Sequence, residues 1–379
     1  MNAETFNILA EDYTAIPVYR RMLADTLTPV SLFLSIRSNS SHPFLFESVE
    51  GGEHLARYSF LGCNPYQTLT FDGESTWLDR KGRGPEKMEG SYFDTLESLI
   101  SAYTEPKIAH LPRLTGGAVG FSSYDTVREI EALPQSQTAE EDLPEAIWSF
   151  YDEIYAFDHV RQQIVLIKTI FPEEHATLQD AYREAMDSLD RMESKAKIQP
   201  SESGGFHLDS NALASNMEKS YFHNIVEKAK KYIYEGDIFQ VVLSQRFGVP
   251  FSGDPFTLYR ALRMVNPSPY LFYLEFNGFS LSGSSPEVLV RVTGREARLL
   301  PIAGTRPRGS THEEDIALEK ELLNDPKELA EHIMLVDLGR NDLSRVCETG
   351  SVRLERSQVI ERFSHVMHIV STVKGRVRP

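Results

Sequence analysis

The chain has 379 residues, 41% hydrophobic and 25% charged, enough apolar content for a large core; one core rarely grows past roughly 250–300 residues, so two cores or one composite sandwich are expected. A formal net charge of -16 lacks the basic footprint that nucleic acid requires and is repelled by an anionic membrane surface; an anionic metabolite would need local positive charge or a divalent metal to be held. Two cysteines far apart in sequence, Cys63 and Cys347, form no disulfide framework or zinc site, the N-terminus has no signal-peptide core, and no run of about 18 apolar residues occurs, so a cytoplasmic chain without membrane spans is expected.

The N-terminal half reads as short strands at 30–34, 43–47, 57–61, 67–71, 118–121 and 164–167, with helical patterns at 93–102 and 173–192. Two polar stretches break it, LPQSQTAEEDLPEA at 133–146 and the Ser- and Gly-rich 194–215, the second being the better boundary. The expected division is therefore a sandwich domain over 1–193, a linker over 194–215 and a second domain over 216–379.

Beyond the linker, Ser215 and Glu218 form a capping-box pattern. Phe222, Ile225, Val226, Ala229 and Ile233 keep helical spacing, and Gly236 is a helix stop. IFQVVLSQRFGV, at 238–249, predicts a strand with Gln240, Val242, Ser244 and Arg246 on one face; that face is either the wet side of a site or plain solvent. Two hairpins follow, 270–276 into 279–282 through Asn277-Gly278 and 289–292 into 297–302 through Thr293-Gly294. The fold class expected is α+β, a large antiparallel-rich β-sandwich with helices packed outside.

Four segments read as chemistry. In NDPKELAEHIMLVDLGRNDLSRV, at 324–346, Asp325 is a natural N-cap with Pro326 at N1, and Glu328 and Glu331 share a helix face. Two carboxylates so placed suit a hard cation such as Mg²⁺, or are simply an acidic face favoured by the helix dipole. PIAGTRPRG, at 301–309, offers turn amides, Thr305 and the guanidinium groups of Arg306 and Arg308 for a carboxylate, or is an ordinary loop. GSSPEV, at 283–288, carries Glu287, which acts as a general acid if it is buried beside a pocket and is an edge charge if it is not. In FSHVMHIVS, at 363–371, His365 and His368 fall on opposite strand faces, so one is structural and the other is free for proton transfer.

The ordered blocks FESVEGG, RYSFLG, GDIFQVVLSQR, NPSPYLFYL, SLSGSSPEVLVRV, PIAGTRPRG, DPKELAEHIMLVDLGRNDLSRV and SHVMHIVS resemble the anthranilate synthase component I family of chorismate-utilising enzymes over essentially the whole chain. The resemblance implies that Glu331 is a Mg²⁺ ligand with Glu328 beside it, the metal holding the ring carboxylate of chorismate. It also implies that Glu287 assists departure of the C4 hydroxyl, that His368 is catalytic and His365 structural, and that Ala303, Gly304 and Thr305 contact substrate. Gln240 stands where isochorismate and salicylate synthases carry a lysine that activates water, and Ala303 where aminodeoxychorismate synthases carry the lysine of PIKGT. Both imply ammonia as nucleophile at C2, supplied from glutamine by a separate amidotransferase subunit. Glu47 and Ser48 of FESVEGG, with Pro267, Ser268 and Tyr270 of NPSPY, are implied to bind tryptophan as a feedback inhibitor. The first domain would then be regulatory and the second would bind chorismate. The alternatives are an aminodeoxychorismate or isochorismate synthase, or an inactive tryptophan-binding piece. The family pattern continues past residue 379 into a GTLSGAPK block, a second metal glutamate and the Tyr and Arg that hold the enolpyruvyl group. The fold is therefore expected to be incomplete at the C-terminus, and the chain alone inactive.

Overall fold

The computed structural model describes residues 1–48, 57–134, 143–198, 204–363 and 365–379. By internal contacts the chain falls into two units, 1–201 together with 262–379, and 202–261.

In the larger unit seven antiparallel strands form one sheet, in the order Ile16–Leu23, Gln163–Ile170, Glu153–Asp158, Tyr58–Gly62, Phe44–Glu47, Tyr270–Glu275 and Ser280–Ser285. A five-stranded antiparallel sheet runs Gly84–Lys87, Thr76–Arg80, Gln67–Phe71, Ala146–Tyr151 and Gly117–Ser122. The two sheets meet in one core, with Phe44, Ile154, Val165 and Leu274 from the first and Val119, Ile147 and Tyr151 from the second. Strand Gln163–Ile170 is buried on both faces. Helix Leu178–Ala196 covers its outer side through Ala181, Ala185, Ser188, Leu189, Met192 and Ala196. That is a helical stripe whose small residues allow close approach to the sheet. The expected α+β sandwich with outer helices is thus the observed fold. The stretch expected as linker opens on the last turn of this helix.

Residues 30–34, expected as a strand, lie in helix Pro29–Arg37. A short apolar run is ambiguous between the two states, and capping decides it here. Thr28 Oγ1 accepts from the Ser31 amide at 3.0 Å and Ser31 Oγ from the Thr28 amide at 2.9 Å; Pro29 needs no amide partner at N1. Leu32, Phe33 and Ile36 then fall on the buried side.

In the smaller unit, Lys219–Glu235 is helical and Gly236 ends it with a φ of 82°, as expected. The capping box is not formed: Glu218 is the N-cap with no side-chain bond, and Ser215 bonds locally to Met217. The strand expected over 238–249 is also absent except for Phe247–Gly248, which pairs with Ala214–Ser215. Alternating residues create a strand only where a second chain segment completes the ladder, and among the described residues no strand ladder forms along 238–246, whose last residue, Arg246, bonds Asn216.

The third sheet of the larger unit is centred on Val366–Arg376. Glu296–Leu299 and Ile302–Pro307 pair end to end along one of its edges, and Arg353–Arg362 along the other. Both hairpin expectations hold. Phe276 and Phe279 close the Asn277-Gly278 turn, whereas the second turn falls one residue later than expected, at Gly294-Arg295. Helices His312–Asn324 and Pro326–Val346 pack on this sheet through Leu322, Met367 and Ile369 and through Val336, Leu343 and Val373. Among the described residues no helix is long and apolar enough to cross a membrane.

Candidate active site

The site forms where strand Ile302–Pro307 meets strand Val366–Arg376. Thr305 sits directly opposite His368, and the register slips between Ala303 and Thr305. Gly304 takes up the slip with a φ of 76°, a conformation costly for any residue with a Cβ. His368 Nδ1 lies 3.0 Å from Thr305 Oγ1 and 3.1 Å from the Gly304 carbonyl oxygen. The Phe363 ring stands against the imidazole at 5.5 Å between centroids. His368 is half-buried, between the buried Met367 and Ile369 that face the helices. His365 is exposed, and its carbonyl accepts from the Arg308 amide.

Helix Pro326–Val346 begins as its sequence predicts. Asp325 accepts from the amides of Lys327 and Glu328 at 3.0 and 3.3 Å. Its first turns carry Glu328 and Glu331, both half-buried, and Glu328 reaches the sheet at Gly304. A Cβ at Gly304 would fall 3.3 Å from Glu328 Oε2, so the carboxylate reaches the same bulge that holds the imidazole. Among the described residues no group of three or more His, Cys, Asp or Glu forms a ready metal cage. Mg²⁺ does not need one: it keeps waters and is commonly held by one or two carboxylates plus substrate oxygens. Two half-buried glutamates one turn apart fit that demand.

Glu287 follows strand Ser280–Ser285. The Ser285 hydroxyl accepts from the Glu287 amide at 3.2 Å and donates to its carbonyl at 3.0 Å, fixing the turn. Glu287 lines a cavity of about 600 Å³ with Pro301, Leu335, Leu338, Gly339 and Asp342. Its side chain is exposed at the rim, and partial burial by the surrounding protein raises its carboxyl from the ordinary value, opposed by charge on His368. Ala303 is buried and puts only a methyl into the turn. Gln240 belongs to the smaller unit, exposed and outside any strand.

The arginines of PIAGTRPRG have other work than gripping substrate. Arg306 pairs with Asp325 at 2.8 Å and Glu321 at 2.9 Å and comes within 4.0 Å of Glu328. Arg308, the Gly309 amide and Arg362 converge on Asp315, holding its carboxyl well below the usual range. These bonds staple the loop to the start of helix His312–Asn324.

The other implied cluster lies on the seven-stranded sheet. Glu47 sits opposite Leu271, so 46–48 and 267–271 are neighbours; residues 49–52 of FESVEGG lie outside the described residues. Glu47 is buried with Arg263 Nε 2.9 Å from its carboxylate. Ser48 and Pro267 are half-buried, and Ser268 is buried with no hydrogen-bond partner for its hydroxyl among the described residues. Tyr270 Oη accepts from Arg291 at 3.0 Å. Arg57, Tyr58, Phe60, Leu111, Arg113 and Arg291 line a cavity of about 580 Å³.

Sequence reasoning missed Arg263, whose partner Glu47 lies far away in the chain and leaves no local signal. It also missed His332, fully buried with Nε2 2.7 Å from Ser371 Oγ. Helical spacing could have found His332, because Val336, Gly339 and Leu343 continue its buried stripe.

The sequence pattern of the chorismate binding enzyme family matches residues 41–379, and the chain belongs to this family. Within it, anthranilate synthase component 1 of Acetivibrio thermocellus is 44% identical over 98% of this chain and 76% of its own length. The protein of the same name from Synechocystis sp. is 42% identical over the same shares. The crystal structure of anthranilate synthase component I from Streptococcus pneumoniae superposes with a TM-score of 0.73 at 32% identity, covering 95% of this chain and 77% of that one. The menaquinone-specific isochorismate synthase of Escherichia coli shares the fold, with a TM-score of 0.65 at 17% identity over 99% and 75% of the two chains.

Proposed function

We propose that this chain is the catalytic component of an anthranilate synthase. Ammonia adds at C2 of chorismate, the C4 hydroxyl leaves as water, and pyruvate is eliminated to give anthranilate. One observation carries the reading: the bulge at Gly304 holds the His368 imidazole by its carbonyl and passes close to the Glu328 carboxylate, beside a turn whose buried Ala303 offers no amine. Without that amine, a covalent intermediate of the aminodeoxychorismate kind has no nucleophile, and Gln240 in place of a lysine disfavours activation of water. Glu287 keeps its proton to higher pH than an ordinary carboxyl and so delivers it to the departing hydroxyl. His368 stands beside the ring and its carboxylate to move a proton there. Mg²⁺, when held by Glu331 and Glu328, would neutralise and fix the ring carboxylate. The ammonia comes from glutamine through a separate amidotransferase subunit, as the component naming of the relatives suggests. In the native enzyme containing this chain, chorismate with Mg²⁺ and an ammonium salt is expected to yield the fluorescence of anthranilate; isochorismate or aminodeoxychorismate as the product instead would overturn the reading.

We further infer that tryptophan binds at Glu47, Ser48, Pro267, Ser268 and Tyr270 as a feedback inhibitor. The Ser268 hydroxyl, without a partner among the described residues, and the pairing that joins the two segments support it, since a bound amino acid needs polar groups left free to hold it. Calorimetry is expected to show tryptophan binding at least about tenfold weaker in Ser48→Ala, a loss of one hydrogen bond in a desolvated site. Equal affinity would remove Ser48 from the site.

A further inference from the structure

We propose that the bulge at Gly304 fixes the tautomer of His368, the Gly304 carbonyl and the Thr305 hydroxyl together holding the proton on Nδ1 and leaving Nε2 as the unprotonated ring nitrogen. The proposal rests on the reading of His368 as the proton-transfer group and says which nitrogen does the transfer.

A neutral imidazole carries one proton, and its position follows from what each nitrogen faces. A hydroxyl alone decides nothing, because it donates or accepts as required. A carbonyl oxygen only accepts. The Gly304 oxygen at 3.1 Å from Nδ1 therefore makes Nδ1 the donor, and Thr305 Oγ1 at 3.0 Å is its second acceptor. Both acceptors reach one nitrogen because of a single backbone irregularity. In an unbroken antiparallel ladder, backbone carbonyls are spent on the neighbouring strand. Here the register slips between Ala303 and Thr305, and the positive φ of Gly304 frees its carbonyl for the imidazole. A side chain there would be strained by that φ, and its Cβ would crowd Leu322 Cδ1 at 3.1 Å, Ile369 Cδ1 at 3.2 Å and Glu328 Oε2 at 3.3 Å, so these neighbours would have to give way. The Phe363 ring holds the imidazole from another side.

The chemical consequence is directional. A neutral His368 presents a lone pair at Nε2, so it takes a proton from substrate before it returns one, and the Nδ1 proton stays in place throughout. Gly304 is a positioning residue in this account: its carbonyl sets which end of the ring is basic, and Thr305 Oγ1 is a second acceptor.

Nitrogen-15 spectra of the histidine-labelled chain, taken where the imidazole is neutral, test this directly. The His368 signals are assigned by their loss in His368→Gln. The expected pattern is a protonated Nδ1 and an unprotonated Nε2. Thr305→Val leaves the carbonyl acceptor in place and is expected to keep the proton on Nδ1, whereas Gly304→Ala, if it folds, disturbs the bulge and is expected to give a mixture of the two tautomers. A proton on Nε2 in the unaltered chain or in Thr305→Val overturns the proposal, and an unchanged pattern in a folded Gly304→Ala overturns the part of the bulge. The spectra need no substrate. Failure to form anthranilate therefore leaves this result untouched, and a failed tautomer assignment leaves the proposed reaction standing.

Discussion

Glu287→Gln is expected to lower kcat of the native enzyme by about 10²–10⁴-fold, the usual contribution of a positioned general acid, with little change in chorismate binding. The amide keeps the shape of the side chain and its Ser285-fixed turn but has no proton to give to a leaving hydroxyl. The pH profile supplies the second half of the test. Partial burial raises this carboxyl, so its working, protonated form is fully present at low pH and is lost as pH climbs through the raised pKa. That alkaline limb is expected in kcat of the unaltered enzyme and absent from the variant. A variant within tenfold of the parent, or one that keeps the limb, would sink the assignment. Initial rates of anthranilate fluorescence across pH measure both.

The largest structural effect is expected at Phe44→Ala, at about 3–5 kcal/mol, against a total of only about 5–15 kcal/mol for a typical domain. Phe44 is fully buried between the two sheets, with ring centroids of Tyr151 and Phe46 at 4.9 and 5.2 Å. Its ring occupies space that Gly62 leaves vacant, since a Cβ there would come within 2.5 Å of Phe44 Cε1. Nothing nearby is placed to refill the hole, because the neighbours are strands fixed by their ladders. Urea unfolding is expected to show a lower midpoint at unchanged slope. A loss below about 1 kcal/mol would mean that the core collapses around the missing ring, contrary to close packing of this kind.

What the sequence disclosed follows the range of the forces involved. Asp325 with Pro326 and Glu328 is a local device, and the helix starts where it says. Gly236 and the Asn277-Gly278 turn are equally local and equally legible. Residues 28–31 carried a capping signal that the apolar run at 30–34 overshadowed. Strandedness at 238–246 was not a local property, because alternation names a face without supplying a neighbour. In the candidate site, the resemblance marked His368, Thr305, Gly304 and Glu328, but no sequence pattern gives the register slip that puts a carbonyl on the imidazole. The arginines of PIAGTRPRG read as substrate grips because their partners Glu321, Asp325 and Asp315 declare themselves only through the fold.

The pairing of Leu271 with Glu47 has a consequence for the birth of the molecule. A ribosome delivers the strand Phe44–Glu47 long before Tyr270–Glu275 exists to flank it. Until then that strand of aromatic and aliphatic residues, FLFE, has an open hydrogen-bonding edge, the kind of surface that recruits foreign strands. Loop closure over such a span is slow relative to helix and hairpin formation. Synthesis therefore imposes a waiting period on the nascent chain, in which chaperone supply rather than final stability governs the yield of folded protein.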